Sequence, residues 1–146
     1  MKTAEEKIKL IRTIEKEIPD ENNPEMGTHL LAQFIEDGDL DVRIEALKAL
    51  YQFDKERSLR LLRALALKQD PAVRLKAAIT LADISTVESL SVILGMVYDD
   101  DLKVRKAVLK KLTDVRNKKS VPSKVFNDKL TYLIDEIRKR ERWIIE

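Results

Sequence analysis

His29 is the only histidine of the chain, and there is no cysteine. A zinc or iron centre built on imidazole or thiolate needs several such ligands, so none is expected. Nucleophilic catalysis of the Ser-His-Asp kind would have to use His29 as its base, near the start of an early helix and with no serine elbow to attack from. Asp99, Asp100 and Asp101 set carboxylates in a row, yet the run lacks the glycine turn and closing glutamate of a calcium loop. It reads as a solvated loop that ends in a helix cap. Gly27, Gly38 and Gly95 stand singly, so no glycine-rich loop cradles a phosphate. No catalytic residue, metal ligand or cofactor is expected, and the chain reads as a non-enzyme.

Lysine and arginine carry the clearer signal. Lys103, Arg105, Lys106, Lys110, Lys111, Arg116, Lys118, Lys119 and Lys124 face a single acid, Asp114, within one short stretch. Lys106 and Lys110, with Lys103, fall on one face of a helix. Such a patch suits an acidic protein, a phosphate backbone or anionic headgroups. Lys76, Lys103, Lys106, Lys110, Lys111, Lys118 and Lys119 are therefore the candidate partner-binding residues. No aromatic side chain interleaves with them, which argues against a single-strand stacking platform. Binding of a duplex backbone through residues 103–124 stays as a second reading.

The net charge of +2 conceals a gradient. Residues 1–41 hold 5 basic and 11 acidic side chains, residues 42–102 hold 9 of each, and residues 103–146 hold 14 basic and 6 acidic. An acidic front and a basic end can meet head to tail, so a monomer or weak self-association is expected.

These residues need elements to position them, and the composition is that of helices. Charged residues make up 37%, aromatics 5%, and glycine and proline together number seven. A sheet protein would want more β-branched, aromatic and turn residues. The opening MKTAEEKIKLIRTIEKE is too charged for a signal peptide, and no run approaches the roughly 18–20 apolar residues of a membrane span. The absence of cysteine fits a reducing compartment, so a cytoplasmic protein without a membrane span is expected.

Val42-Arg43, Val73-Arg74 and Val104-Arg105 recur 31 residues apart. Asp39, Asp70 and Asp101 precede the arginines by four and read as N-caps; Pro71 fits the first helical position after Asp70. Val42, Ala46, Leu47 and Leu50 form one apolar helix stripe, repeated by Val73, Ala77, Ala78 and Leu81 and by Val104, Val108, Leu109 and Leu112. A first helix in each period aligns at the same offset: Leu30-Leu31, Leu61-Leu62 and Val92-Ile93, then Phe34, Leu65 and Met96. Ser85 with Glu88 reads as a capping box for the third of these, and Thr3 with Glu6 as one for an N-terminal helix carrying Ile8, Ile11, Ile14 and Ile18. Ser120 to Ser123, around Pro122, should open one terminal helix with a stripe of Leu130, Leu133, Ile134 and Ile137. Trp143-Ile144-Ile145 is an apolar tip expected to fold back into that cap.

The three Asp…Val-Arg…Leu frames at 39–50, 70–81 and 101–112 resemble the HEAT repeat. The resemblance implies an all-α fold, a right-handed α-solenoid of antiparallel helix pairs. Residues 1–26 would form an N-terminal capping helix and loop, residues 27–112 three repeats, and residues 113–146 a C-terminal capping helix, all in one domain. It implies a non-catalytic scaffold or adaptor whose partner lies along the second helices, where Glu45, Lys48, Lys76, Thr80, Lys106, Lys110 and Lys111 would be exposed. The family also includes lyase- and glycosylase-type HEAT-like enzymes, which gives a further alternative. Asp39, Arg43, Asp70, Arg74, Asp101 and Arg105 would form a structural ladder between repeats. The family tends to place an acid six residues before the arginine; Asp37 and Asp99 match, while Lys68 does not, so the ladder should be irregular there.

Overall fold

The structure, a computed structural model, describes residues 2–18, 24–117 and 123–140. Every regular element among them is helical: α1 (Ala4–Glu17), α2 (Pro24–Ile35), α3 (Leu40–Phe53), α4 (Lys55–Ala66), α5 (Pro71–Ile84), α6 (Val87–Leu94) continued by a 3-10 turn (Gly95–Tyr98), α7 (Leu102–Asn117) and α8 (Lys124–Arg140). The fold is all-α and HEAT-like, with helices packed in consecutive pairs. The chain forms two compact units, residues 1–67 and residues 68–146.

In the first unit α1, α2 and α4 all pack on α3. The stripe of α3 explains why: Val42, Ala46, Leu47 and Leu50 are all buried. Asp39 starts this helix, its carboxylate accepting from the Val42 amide at 3.1 Å. Asp54 closes α3 and opens α4 at once. Its amide donates to the Leu50 carbonyl while its side chain accepts from the Arg57 amide. Ser58, just inside α4, is fully buried because its hydroxyl donates to the Leu47 carbonyl at 2.6 Å. One period earlier the same slot is Gly27, where a Cβ would collide with the Phe53 ring. The slot demands a small residue because helix backbone and neighbouring side chain meet there.

α1 begins at Thr3, whose side chain accepts from the Glu6 amide at 3.2 Å. The hydroxyl also donates to the Glu6 carboxylate at 3.3 Å, so the two side chains pair with each other. The helix ends at Glu17, and Ile18 is extended, the conformation into which a following proline pushes its predecessor. Of the expected stripe, Ile11 is buried, while Ile8, Ile14 and Ile18 are half-buried.

In the second unit α5 packs on α6 and α7, and α7 also packs on the 3-10 turn and α8. Asp70 caps α5 through the Ala72 amide at 2.9 Å, with Pro71 in the first turn. Asp101 caps α7 through the Val104 amide at 3.1 Å. Ala77, Ala78, Leu81, Val104, Val108, Leu109 and Leu112 are buried, at about 1.5–3 kcal/mol for each large aliphatic side chain removed from water.

Several expectations need correction. Val73 is only half-buried, unlike Val42 and Val104. The elements of its own unit that pack on α5 are α6 and α7, whereas α7 is covered by α5, the 3-10 turn and α8. The cap of α6 is Thr86, not Ser85. Thr86 Oγ1 accepts from the Ser89 amide at 3.1 Å, and Ser89 Oγ in turn accepts from the Thr86 amide at 2.9 Å. Ser85 instead ends α5 with φ 57, a left-handed conformation that costs a side-chain-bearing residue. Thr80 is buried, its hydroxyl donating to the Lys76 carbonyl at 2.9 Å. In α8 the buried set is Phe126, Leu130, Ile134 and Ile137, with Leu133 half-buried. Ser123 caps it by accepting from the Phe126 amide. α7 runs on to Asn117, past the last period. The Trp143 tip lies outside the described residues.

Candidate partner-binding surfaces

The repeated arginine and its acid meet most fully in residues 68–146. Arg74 Nε donates to Asp99 Oδ2 at 2.8 Å and Nη2 to Oδ1 at 2.9 Å. Its Nη1 donates to the Lys68 and Gln69 carbonyls at 3.0 and 2.8 Å. Lys68, the exception to the acidic pattern, thus contributes main chain. One period on, Arg105 Nη1 donates to the Asp99 and Asp100 carbonyls at 2.7 and 3.1 Å. The Arg74 guanidinium holds the Asp99 carboxyl below the usual carboxylate range; burial opposes this and the Asp101 amide assists. Both side chains are largely covered, 15% and 10% exposed. The pair fastens loops and offers no open charge.

In residues 1–67 the equivalent acid, Asp37, is met by Lys7 at 2.6 Å. The ammonium, then the Asp39 amide, lowers the Asp37 carboxyl. Arg43 Nε is buried with no hydrogen-bond partner. In the Asp99–Asp101 run, Asp99 accepts from Arg74 and Asp101 caps α7; among the described residues no group of three or more His, Asp or Glu is placed to hold a metal ion.

The lysines behave differently. Lys103, Lys106 and Lys110 are exposed on α7, opposite the buried Val104, Val108 and Leu112. Lys111 lies 3.8 Å from Asp83 of α5, with the two side chains 37% and 44% exposed, a pair of little energetic weight. Lys76 is half-buried, as is Glu45, while Lys48 is exposed. Lys118 and Lys119 lie outside the described residues. The described part of the patch is therefore a three-lysine stripe with Lys111 at its edge.

A second feature went unforeseen. Glu25, Thr28, His29, Ala32, Phe53, Asp54 and Arg57 line an open groove of about 500 Å³ in the first unit. Gly27 permits α2 to approach Phe53 and so shapes its floor. His29 lies there with no serine in the lining, and Asp54 is committed to capping α4. A signal for the groove existed in the sequence only as a glycine inside a helix.

A family model described as HEAT repeats matches residues 27–113. No curated protein and no solved structure matches the chain. No helix among the described residues is long and apolar enough to cross a membrane.

Proposed function

Since the chain belongs to the HEAT-repeat family, we propose that it is a non-catalytic protein-binding module whose basic α7 stripe receives an acidic segment of a partner. HEAT repeats generally mediate protein–protein interaction, and proteins built from them are typically non-enzymatic scaffolds. The observation that carries the reading is the exposed row of like charge along α7, Lys103, Lys106 and Lys110, whereas Arg74 is largely covered and engaged with Asp99. A cation already held by a covered carboxylate adds little to recognition, whereas an exposed row of one sign attracts an opposite charge and speeds its encounter. The proposal treats residues 1–146 as one repeat domain acting in a reducing, cytoplasmic setting.

The test is binding to immobilised polyglutamate and to duplex DNA over a salt series, using the natural chain and the variant Lys103→Glu/Lys106→Glu/Lys110→Glu. Polyglutamate should bind with an affinity that falls as salt rises, and the variant should lose about tenfold, roughly 1.4 kcal/mol, with its melting temperature unchanged. Equal polyglutamate binding by the two proteins rejects the proposal. Retention on DNA alone, with a steep salt slope, would assign the stripe to phosphates.

A further inference from the structure

We infer that the outer face of α8 is a self-complementary interface through which two copies of this chain pair, antiparallel about a two-fold axis beside Tyr132. This goes beyond the reading of α7 as a partner-binding surface and does not depend on it. α8 packs on α7 and buries Phe126, Leu130, Ile134 and Ile137, which share one face of the helix. Val125 and Tyr132, two turns apart on the far side, are 79% and 69% exposed. The last helix of a repeat stack keeps its outer face polar when it meets only water. A lone apolar side chain there would call for no explanation. Two in line, with ordered charges on both sides, do.

The charges select the occupant. At about 100° per residue, Lys129 and Glu136 fall on one side of the Val125–Tyr132 line, and Asp128 and Lys139 on the other. Asp128, Lys129 and Lys139 are exposed and Glu136 is half-buried; Asp135 and Arg138 lie further round the helix. Each flank thus carries one sign toward the start of α8 and the opposite sign toward its end. When two such helices run antiparallel about a two-fold axis, each flank meets the same flank of its partner with the order reversed. Lys129 then faces the partner's Glu136, and Asp128 the partner's Lys139, and the symmetry repeats both pairs.

The aliphatic stem of the partner's Lys139 lies across Val125, and the two Tyr132 rings meet near the axis. Antiparallel packing also sets opposite ends of the two helix dipoles together, which parallel packing does not. Lys139 touches Glu136 of its own helix at 3.5 Å, but an exposed pair of this kind holds neither side chain firmly. One pair of helices covers less than the roughly 1,600 Å² of a standard interface, so the dimer is weak.

Sedimentation equilibrium of the full chain up to about 1 mM, a range that reaches weak complexes, tests this, with the melting temperature recorded for each variant. The mass should rise with concentration toward that of a dimer. Lys129→Glu should raise the dissociation constant about tenfold, because the axis turns two attractions into repulsions. Lys129→Glu/Glu136→Lys should bring it back to within about threefold of the natural value, since the exchanged charges meet again across the axis. Val125→Ser/Tyr132→Ser should weaken the dimer about tenfold and melt like the natural chain. A chain that stays monomeric throughout overturns the inference and leaves the face to another protein. A double reversal as weak as the single one also overturns it, because the flanks then do not meet antiparallel. Association lost in Lys106→Glu/Lys110→Glu but kept in the serine variant overturns it in favour of head-to-tail contact through α7.

Discussion

The same rung is built in two ways in the two units. In residues 1–67 a lysine, Lys7, meets Asp37 through one contact of 2.6 Å. In residues 68–146 an arginine, Arg74, grips Asp99 with two nitrogens and holds the Lys68 and Gln69 carbonyls with a third. An ammonium is a point charge, whereas the guanidinium is a planar fork that can join several acceptors at once. Arg43, at the same register as Arg74, has a buried Nε with no partner. Repetition of a residue type therefore does not guarantee repetition of its role. What a repeated arginine does depends on which residue stands one period further along.

The largest effect that separates the units lies in their cores. Val42→Asp and Val104→Asp each bury a charge without compensation and should cost about 3–5 kcal/mol by urea unfolding. Val73→Asp, at the same register but half-buried, should cost clearly less. Equal losses at all three positions would mean that α5 is as fully covered as α3 and α7.

The next effect concerns pH. Asp37 and Asp99 are both lowered in the folded protein. A carboxyl lowered on folding stabilises the protein above its unfolded pKa, and that contribution is lost as pH falls through its folded value. Acidification from neutrality should therefore lower the melting temperature of the natural chain. Asp99→Asn should flatten this dependence more than Asp37→Asn, because two nitrogens of Arg74 hold Asp99 whereas one ammonium holds Asp37. A larger flattening with Asp37→Asn would reverse the ranking of the two rungs.

The smallest effect is local. Ser85 has φ 57 and a buried hydroxyl oxygen without a partner. Ser85→Gly should stabilise by about 0.5–1 kcal/mol, since glycine adopts this conformation freely. A loss of stability would show that the hydroxyl is needed where it lies.

Much of the scaffold was legible because it repeats. Asp39, Asp70 and Asp101 cap as their spacing predicts, and Leu50, Leu81 and Leu112 are fully buried. Periodicity reports which face a residue occupies, not how many neighbours cover that face, and so it could not separate Val73 from Val42. Ser85 and Thr86 are both capping residues by type, and the choice between them was made by the backbone of α5 as it ended. The lysine stripe could be read from charge alone. The groove under His29 depends on Gly27 meeting Phe53, a contact between residues far apart in the chain.

The central claim is that the periodic arginine holds the scaffold and the exposed lysines meet the partner. Melting temperature and polyglutamate affinity, measured together on Arg74→Ala and on Lys106→Glu/Lys110→Glu, test it most directly. The account predicts that Arg74→Ala lowers the melting temperature and leaves affinity unchanged, while the lysine pair loses about tenfold in affinity and melts like the natural chain. Weakened binding in Arg74→Ala beside intact binding in the lysine variant would contradict it.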